Sequence, residues 1–320
     1  MTTIPPPTNN LATKVYATFE RSTEKPRPHL GASQLGHHCS RYLWLSFRWA
    51  ISENFTGRIL RLFRRGHDEE RYFVDDLRAA GLNVSEIDPE TGKQYRVSFS
   101  RHVSGSTDGI ALSGVPESPN TPHLLEFKTH SKKSFDDLQR HGVIKSKPMH
   151  HVQMQVYMHG TGLTRALYGA VCKDDDRLYF ERIRYDKSVA ELYINRGIAI
   201  TKAASMVEPV PGASADWYQC RFCSAHSFCH EKPLTKNVNC RTCAHSTAKD
   251  EGWHCLKWND FIPVETQYNG CPYHTLHPDL VPYKLIGGSD DGFNAIYEIN
   301  GQPVTNGESG VSSADIIARG

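Results

Sequence analysis

Leu124–His130 reads LLEFKTH, an apolar strand interrupted by a carboxylate and an ammonium two residues apart. Side chains of an extended strand alternate faces, so Glu126 and Lys128 project together while Phe127 points the other way. Such a pair is either a surface ion pair or part of a metal-dependent hydrolytic site. Asp108, in GSTDGIAL, falls on the preceding predicted strand, where it can join Glu126 around one divalent cation. Carboxylate oxygens suit Mg²⁺ or Mn²⁺. An ion held there turns bound water into a nucleophile and neutralises charge on a phosphate. Lys128 is placed to position that water or stabilise the transition-state charge, and the backbone carbonyl of Phe127 is a further candidate ligand. His67, in FRRGHDEERYF on an earlier helix, offers an imidazole to a Mn²⁺-type site. Gln153 and Tyr157, four apart on one helix face, can direct their polar ends into the same cleft.

The cysteines form two sets. Cys220-x2-Cys223-x5-Cys229 supplies three thiolates, and Cys39, far upstream, is the candidate fourth. Thiolates suit an iron–sulfur cluster or zinc, and spacing alone leaves both open. Cys240-x2-Cys243 followed by Cys255 and Cys271 matches a tetrahedral zinc site, with His245, His254 and His274 as alternative ligands. Cys172, on a predicted hairpin strand, reads as a packed free thiol.

These residues must be positioned by a chain of 320 residues with a formal net charge of +2, 38% hydrophobic and 22% charged, the composition of an ordinary globular protein. Global charge gives no nucleic-acid signal, so any basic surface is local. Arg61, Arg64 and Arg65 on one helix, and Lys132 and Lys133 just after LLEFKTH, are the candidate phosphate contacts. No window has the length of a membrane span and the N-terminus has no signal-peptide character, so a cytoplasmic location is expected. Nine cysteines in a reducing compartment then read as metal ligands or free thiols. Residues 1–32, rich in Pro, Thr and Asn, are expected to form a flexible arm. Residues 33–232 read as an α/β domain, with a helix in 33–50, a long amphipathic helix closed by Gly81, strands at 93–100, 103–112 and 123–130, two helices, a hairpin and a helix from Lys187. Residues 233–285 read as a cysteine-rich module and 286–320 as short strands and a tail.

The order His67, Asp108, Glu126-x-Lys128, Gln153-x3-Tyr157 resembles the RecB-like branch of the PD-(D/E)XK nucleases over roughly residues 35–230. The resemblance implies a mixed central sheet flanked by helices and metal-dependent hydrolysis of phosphodiesters. It implies Asp108 and Glu126 as metal ligands with His67 assisting, Lys128 serving the water, and Gln153 and Tyr157 organising the site or the DNA. This sequence has Thr107 before the aspartate where the family name has proline. The isolated Cys39 followed by Ser-Arg, far upstream of CxxC-x5-C, is similar to the iron–sulfur subset of that family, the CRISPR-associated and AddB-type nucleases. That implies a [4Fe–4S] cluster on Cys39, Cys220, Cys223 and Cys229. The expected function is a DNA exonuclease acting at ends in recombination, repair or end processing, from a bacterium or a bacteriophage (in the host cytoplasm if phage-encoded). A homo-oligomer or a recombination partner protein is compatible with it. A non-catalytic nucleic-acid-binding scaffold and a CRISPR-adaptation nuclease working with protein partners are the alternatives.

Overall fold

A computed structural model describes residues 10–21 and 25–319. The chain divides into two compact units, one built from Met1–Pro26, Glu53–Arg96 and Ser106–Asp186, the other from Arg27–Ser52, Val97–Gly105 and Lys187–Gly320. Each unit is built from three stretches of chain.

The first unit carries the LLEFKTH strand. Its labelled elements are α1 (Asn10–Arg21), α2 (Gly57–Ala79), β1 (Asn83–Ser85), β2 (Ile110–Ser113), β3 (His123–His130), α3 (Lys132–Ser146), α4 (Pro148–Thr161), β4 (Arg165–Cys172) and β5 (Leu178–Arg184). The strands form one sheet in the order β5-β4-β3-β2-β1. Only β3 and β4 are parallel, as their connection through α3 and α4 allows. The sheet is therefore mixed.

One face of β3 is apolar. Leu125 and Phe127 pack with Phe73, Val74 and Leu77 of α2 and with Leu167 and Val171 of β4. The rings of Phe73 and Phe127 stack at 4.7 Å and 2°. Fully burying one such side chain contributes about 1.5–3 kcal/mol, so this face fixes α2 on the sheet. Gly81, with φ +92°, lies just past the end of α2, where an L-residue with a side chain is strained.

The expected arm contains α1. Its Glu20 carboxylate accepts the Gly57 amide at 2.6 Å at the start of α2, and its Phe19 ring lies 5.0 Å below the Arg64 guanidinium. The Pro-rich residues 1–9 of that arm lie outside the described residues.

In the second unit, the helix Ser40–Phe47 is anchored by the Trp44 indole, which donates to the Ala203 carbonyl at 3.0 Å. Arg241 is 1% exposed. It bonds Gln267 Oε1 and the carbonyls of Phe47 and Pro28, with its guanidinium 3.7 Å from the Trp49 ring centroid. The cysteine-rich stretch folds as strands Ser246–Lys249, Gly252–Cys255 and Asp260–Phe261. A meander of Lys284–Gly288, Ala295–Ile299 and Gln302–Asn306 follows, and the helix Ser313–Ala318 closes the expected tail. Among the described residues, no helix is long and apolar enough to cross a membrane.

Candidate active site

β2 pairs with β3 only at Ile110↔Leu124 and Ala111↔His123. Beyond that point β3 has no strand partner on its β2 side, and Asp108 fills the gap. Its Oδ2 accepts the Phe127 amide at 2.9 Å, one pair along from the Leu125 amide bonded to the Gly109 carbonyl at 2.9 Å. Asp108 is therefore not inside a strand, as its sequence suggested. It sits in the break before β2, where Gly109 takes φ +139° and its Cβ position would come 3.0 Å from the Ser85 carbonyl oxygen. Amide and carbonyl of one strand residue share an edge. The Phe127 carbonyl thus faces the same opening as Asp108.

Glu126 and Lys128 share the opposite face from Phe127, as alternation requires. The Lys128 ammonium contacts Glu126 Oε1 directly, and Gln153 of α4 donates to Glu126 Oε2 at 2.8 Å. Glu126 is 0% exposed, whereas the Lys128 side chain is 28% exposed. Burial, reinforced by the neighbouring charges of Asp108 and Glu70 and opposed by Lys128, pushes the Glu126 carboxyl up to about 8. Burial works against the Lys128 ammonium, but attraction to Glu126, Asp108 and Glu70 outweighs it and holds the lysine above its ordinary value. The Glu126 direction thus comes chiefly from burial, and the Lys128 direction from the carboxyls around it.

Glu70 is the site residue that the sequence reading missed. It lies on α2 and lines a pocket of about 140 Å³ with Gly66, Glu69, Phe73, Phe127, Lys128 and Thr129. Burial and Asp108 raise its pKa. One turn earlier, the His67 side chain is 76% exposed, with Nδ1 3.7 Å from Glu70 Oε1. The available signal was helical spacing: Gly66, Glu70, Phe73 and Leu77 recur at intervals of four, three and four along one stripe.

A second polar group continues from Lys128 along the sheet. Tyr168 of β4, opposite Glu126 in register, places its hydroxyl 2.9 Å from His130 Nε2 and 2.9 Å from His150 Nδ1. Burial and the nearby lysines lower His130 to about 4 and His150 to about 3, so both are neutral at pH 7. A single hydroxyl proton serves one imidazole, so the other must donate its N–H to the phenol oxygen. Tyr157 is buried on α4, one turn past Gln153.

The candidate phosphate contacts separate. Arg61 and Lys133 are exposed. Arg64 covers Phe19, Arg65 lies 3.7 Å from Glu69 and donates to the Lys173 carbonyl. Lys132 is paired with Asp136 and Asp175 at 3.4 and 3.7 Å.

In the second unit, Cys39, Cys220, Cys223 and Cys229 all line one cavity of about 240 Å³ that also includes Arg41. Burial, with Cys39 and Cys223 adding, raises the Cys229 thiol. In the other set, burial followed by Cys243, Cys271 and Cys255 pushes the Cys240 thiol up to about 12. Cys243 is pushed up to about 11, chiefly by burial. Of the alternative ligands, His245 is engaged by Thr275 and the Phe293 carbonyl. His274 is engaged by Ser313 and the Asn239 carbonyl. His254 is buried with its Nδ1 unpartnered. Soft donors gathered in this way fit a thiophilic metal. Among the described residues, however, no three His, Cys, Asp or Glu side chains are grouped so as to hold one ion. Closing either thiol set on a metal therefore requires the thiols to draw together. Cys172 is fully buried.

No protein-family model matches the chain, and no curated protein is similar to it. Among solved structures, an alkaline exonuclease from Laribacter hongkongensis aligns over 58% of this chain and 89% of its own, at 17% identity and a TM-score of 0.37. The same exonuclease in complex with dAMP gives 17% identity over the same shares and a TM-score of 0.36. SSO0001 aligns over 68% of this chain and 96% of its own, at 14% identity and a TM-score of 0.38.

Proposed function

We propose that the chain is a metal-dependent nuclease of the PD-(D/E)XK type that hydrolyses DNA from its ends. The observation that carries this reading is the open edge of β3, where Asp108 caps the Phe127 amide beside the Glu126–Lys128–Gln153 cluster. Asp108, Glu126 and the Phe127 carbonyl would hold Mg²⁺ or Mn²⁺, which when bound supplies Lewis-acid activation of water and neutralises phosphate charge. Glu70 lies within electrostatic reach of the same carboxyls, but among the described residues no three His, Cys, Asp or Glu side chains are grouped so as to hold one ion, so Glu70 is not counted as a ligand.

The remaining roles belong to side chains. Gln153 fixes the Glu126 carboxyl through Oε2. Lys128, kept protonated by three carboxyls, faces the pocket and stabilises negative charge building on the phosphoryl oxygens. The Tyr168–His130–His150 group stays neutral and does not compete with Lys128 for that charge. In this reading Cys39, Cys220, Cys223 and Cys229 hold a structural [4Fe–4S] cluster, and Cys240, Cys243, Cys255 and Cys271 hold zinc. Of the basic side chains singled out in the sequence, exposed Arg61 and Lys133 are assigned to contact DNA.

End-labelled linear DNA, single- and double-stranded, and a covalently closed circle are incubated with the protein and Mg²⁺ or Mn²⁺. Degradation of linear DNA with the circle intact is expected. A cut circle contradicts action at ends, and intact DNA throughout contradicts the nuclease reading.

A further inference from the structure

The pocket at Glu70 receives a phosphate in the reading above, and α2 shows where the attached base can go. Phe63 stands seven residues before Glu70, and a heptad returns to within about 20° of the same direction on a straight helix. Its ring therefore lies on the Glu70 stripe, about 10 Å nearer the helix N-terminus. Between them Gly66 forms part of the pocket wall. A Cβ on Gly66 would meet nothing within 4 Å, so the space beside this turn of α2 is open. Phe63 is 44% exposed and Phe55 39% exposed. The two meet edge to face, 4.9 Å apart at 81°. The next large aromatic towards the C-terminus on this side of α2, Phe73, is by contrast buried against Phe127.

We infer that Phe63, packed at a steep angle against Phe55, is a stacking platform for an unpaired nucleobase of the DNA strand whose phosphate enters the Glu70 pocket. This inference rests on the proposal that the pocket takes a DNA phosphodiester. The chemistry is that of a π-face. A flat aromatic surface accepts any base, whereas a base held in a duplex interior already has both faces covered. The Phe55 ring limits the rotamers open to Phe63, so less side-chain entropy is lost when a base settles on it. The site therefore selects a frayed or single-stranded end rather than a sequence.

The test is binding of a fluorescently labelled short single-stranded oligonucleotide to the full chain, read by anisotropy, with Ca²⁺ replacing Mg²⁺. Wild type, Phe63→Ala and Phe63→Leu are each titrated with the intact oligonucleotide and with versions carrying one abasic position near the end. At one position the abasic change should weaken wild-type binding about tenfold. Phe63→Ala should lose the same factor on intact DNA and nothing further on that abasic DNA. Phe63→Leu, which keeps apolar bulk without a π-face, should resemble Phe63→Ala and guards against a folding defect. Equal binding of intact DNA by wild type and both variants overturns the inference. So does an unchanged abasic penalty in the variants, or no binding by wild type. A wild type that stacks the base but hydrolyses no DNA removes the nuclease reading and leaves the platform standing.

Discussion

Glu126→Gln separates the electrostatics of the site from its chemistry. A free glutamate in the unfolded chain releases its proton around the ordinary 4.5, while burial holds the native carboxyl protonated up to about 8. Between those values the native state binds one more proton than the unfolded state, so stability falls as pH rises through the window. The slope is at most about 1.4 kcal/mol per pH unit, which sets a ceiling of about 5 kcal/mol across the window. Gln at this position cannot ionise. It offers one acceptor to two donors, Lys128 and Gln153, and that cost is the same at every pH. Urea unfolding of both proteins at intervals from pH 5 to pH 8, without added divalent cation, therefore gives a difference that moves in favour of the variant as pH rises. Adding Mg²⁺ at pH 8 should recover stability for wild type alone. A wild-type-minus-variant difference that is flat with pH, or that moves the other way, refutes the account of a strained carboxyl cluster.

Three further substitutions probe the surrounding structure. Tyr168→Phe removes the hydroxyl shared by His130 and His150 and should cost about 1–3 kcal/mol for the buried groups left unpaired. An unchanged denaturation midpoint contradicts that network. Cys229→Ser should yield colourless protein where anoxically purified wild type is brown, while Cys271→Ser leaves the colour. A colourless wild type carrying zinc in place of iron contradicts the cluster proposal.

The strand His123–His130 was legible because strong alternation and flanking turns leave little choice of register. The shared face of Glu126 and Lys128 followed from that alone, as did the opposite direction of Phe127. Asp108 was legible as a residue near the site but not as a strand break, because the break depends on the conformation of Gly109 and on the Phe127 amide across the sheet. Glu70 was hidden among Asp68, Glu69 and His67. All four are ordinary on a solvated helix, and only packing of Phe73 tells which turn faces inward. The Tyr168 network joins β3, β4 and α4, and nothing local in MHH or LYG announces a non-local hydrogen bond. Residues 10–21 were read as a loose arm because the Pro-rich start dominates their composition. Their helix is held instead by tertiary partners, Glu20 at Gly57 and Phe19 under Arg64, which a sequence window cannot see.

The central claim is that Asp108, Glu126 and Lys128 form a hydrolytic centre. The most direct measurement is the initial rate of linear DNA hydrolysis with Mg²⁺ or Mn²⁺ for wild type, Asp108→Asn and Lys128→Ala, each first shown to be folded. Wild type should hydrolyse DNA only with the divalent cation, and each variant should fall by about 10²-fold or more. Equal rates in wild type and Lys128→Ala, or hydrolysis that persists without a divalent cation, would contradict it.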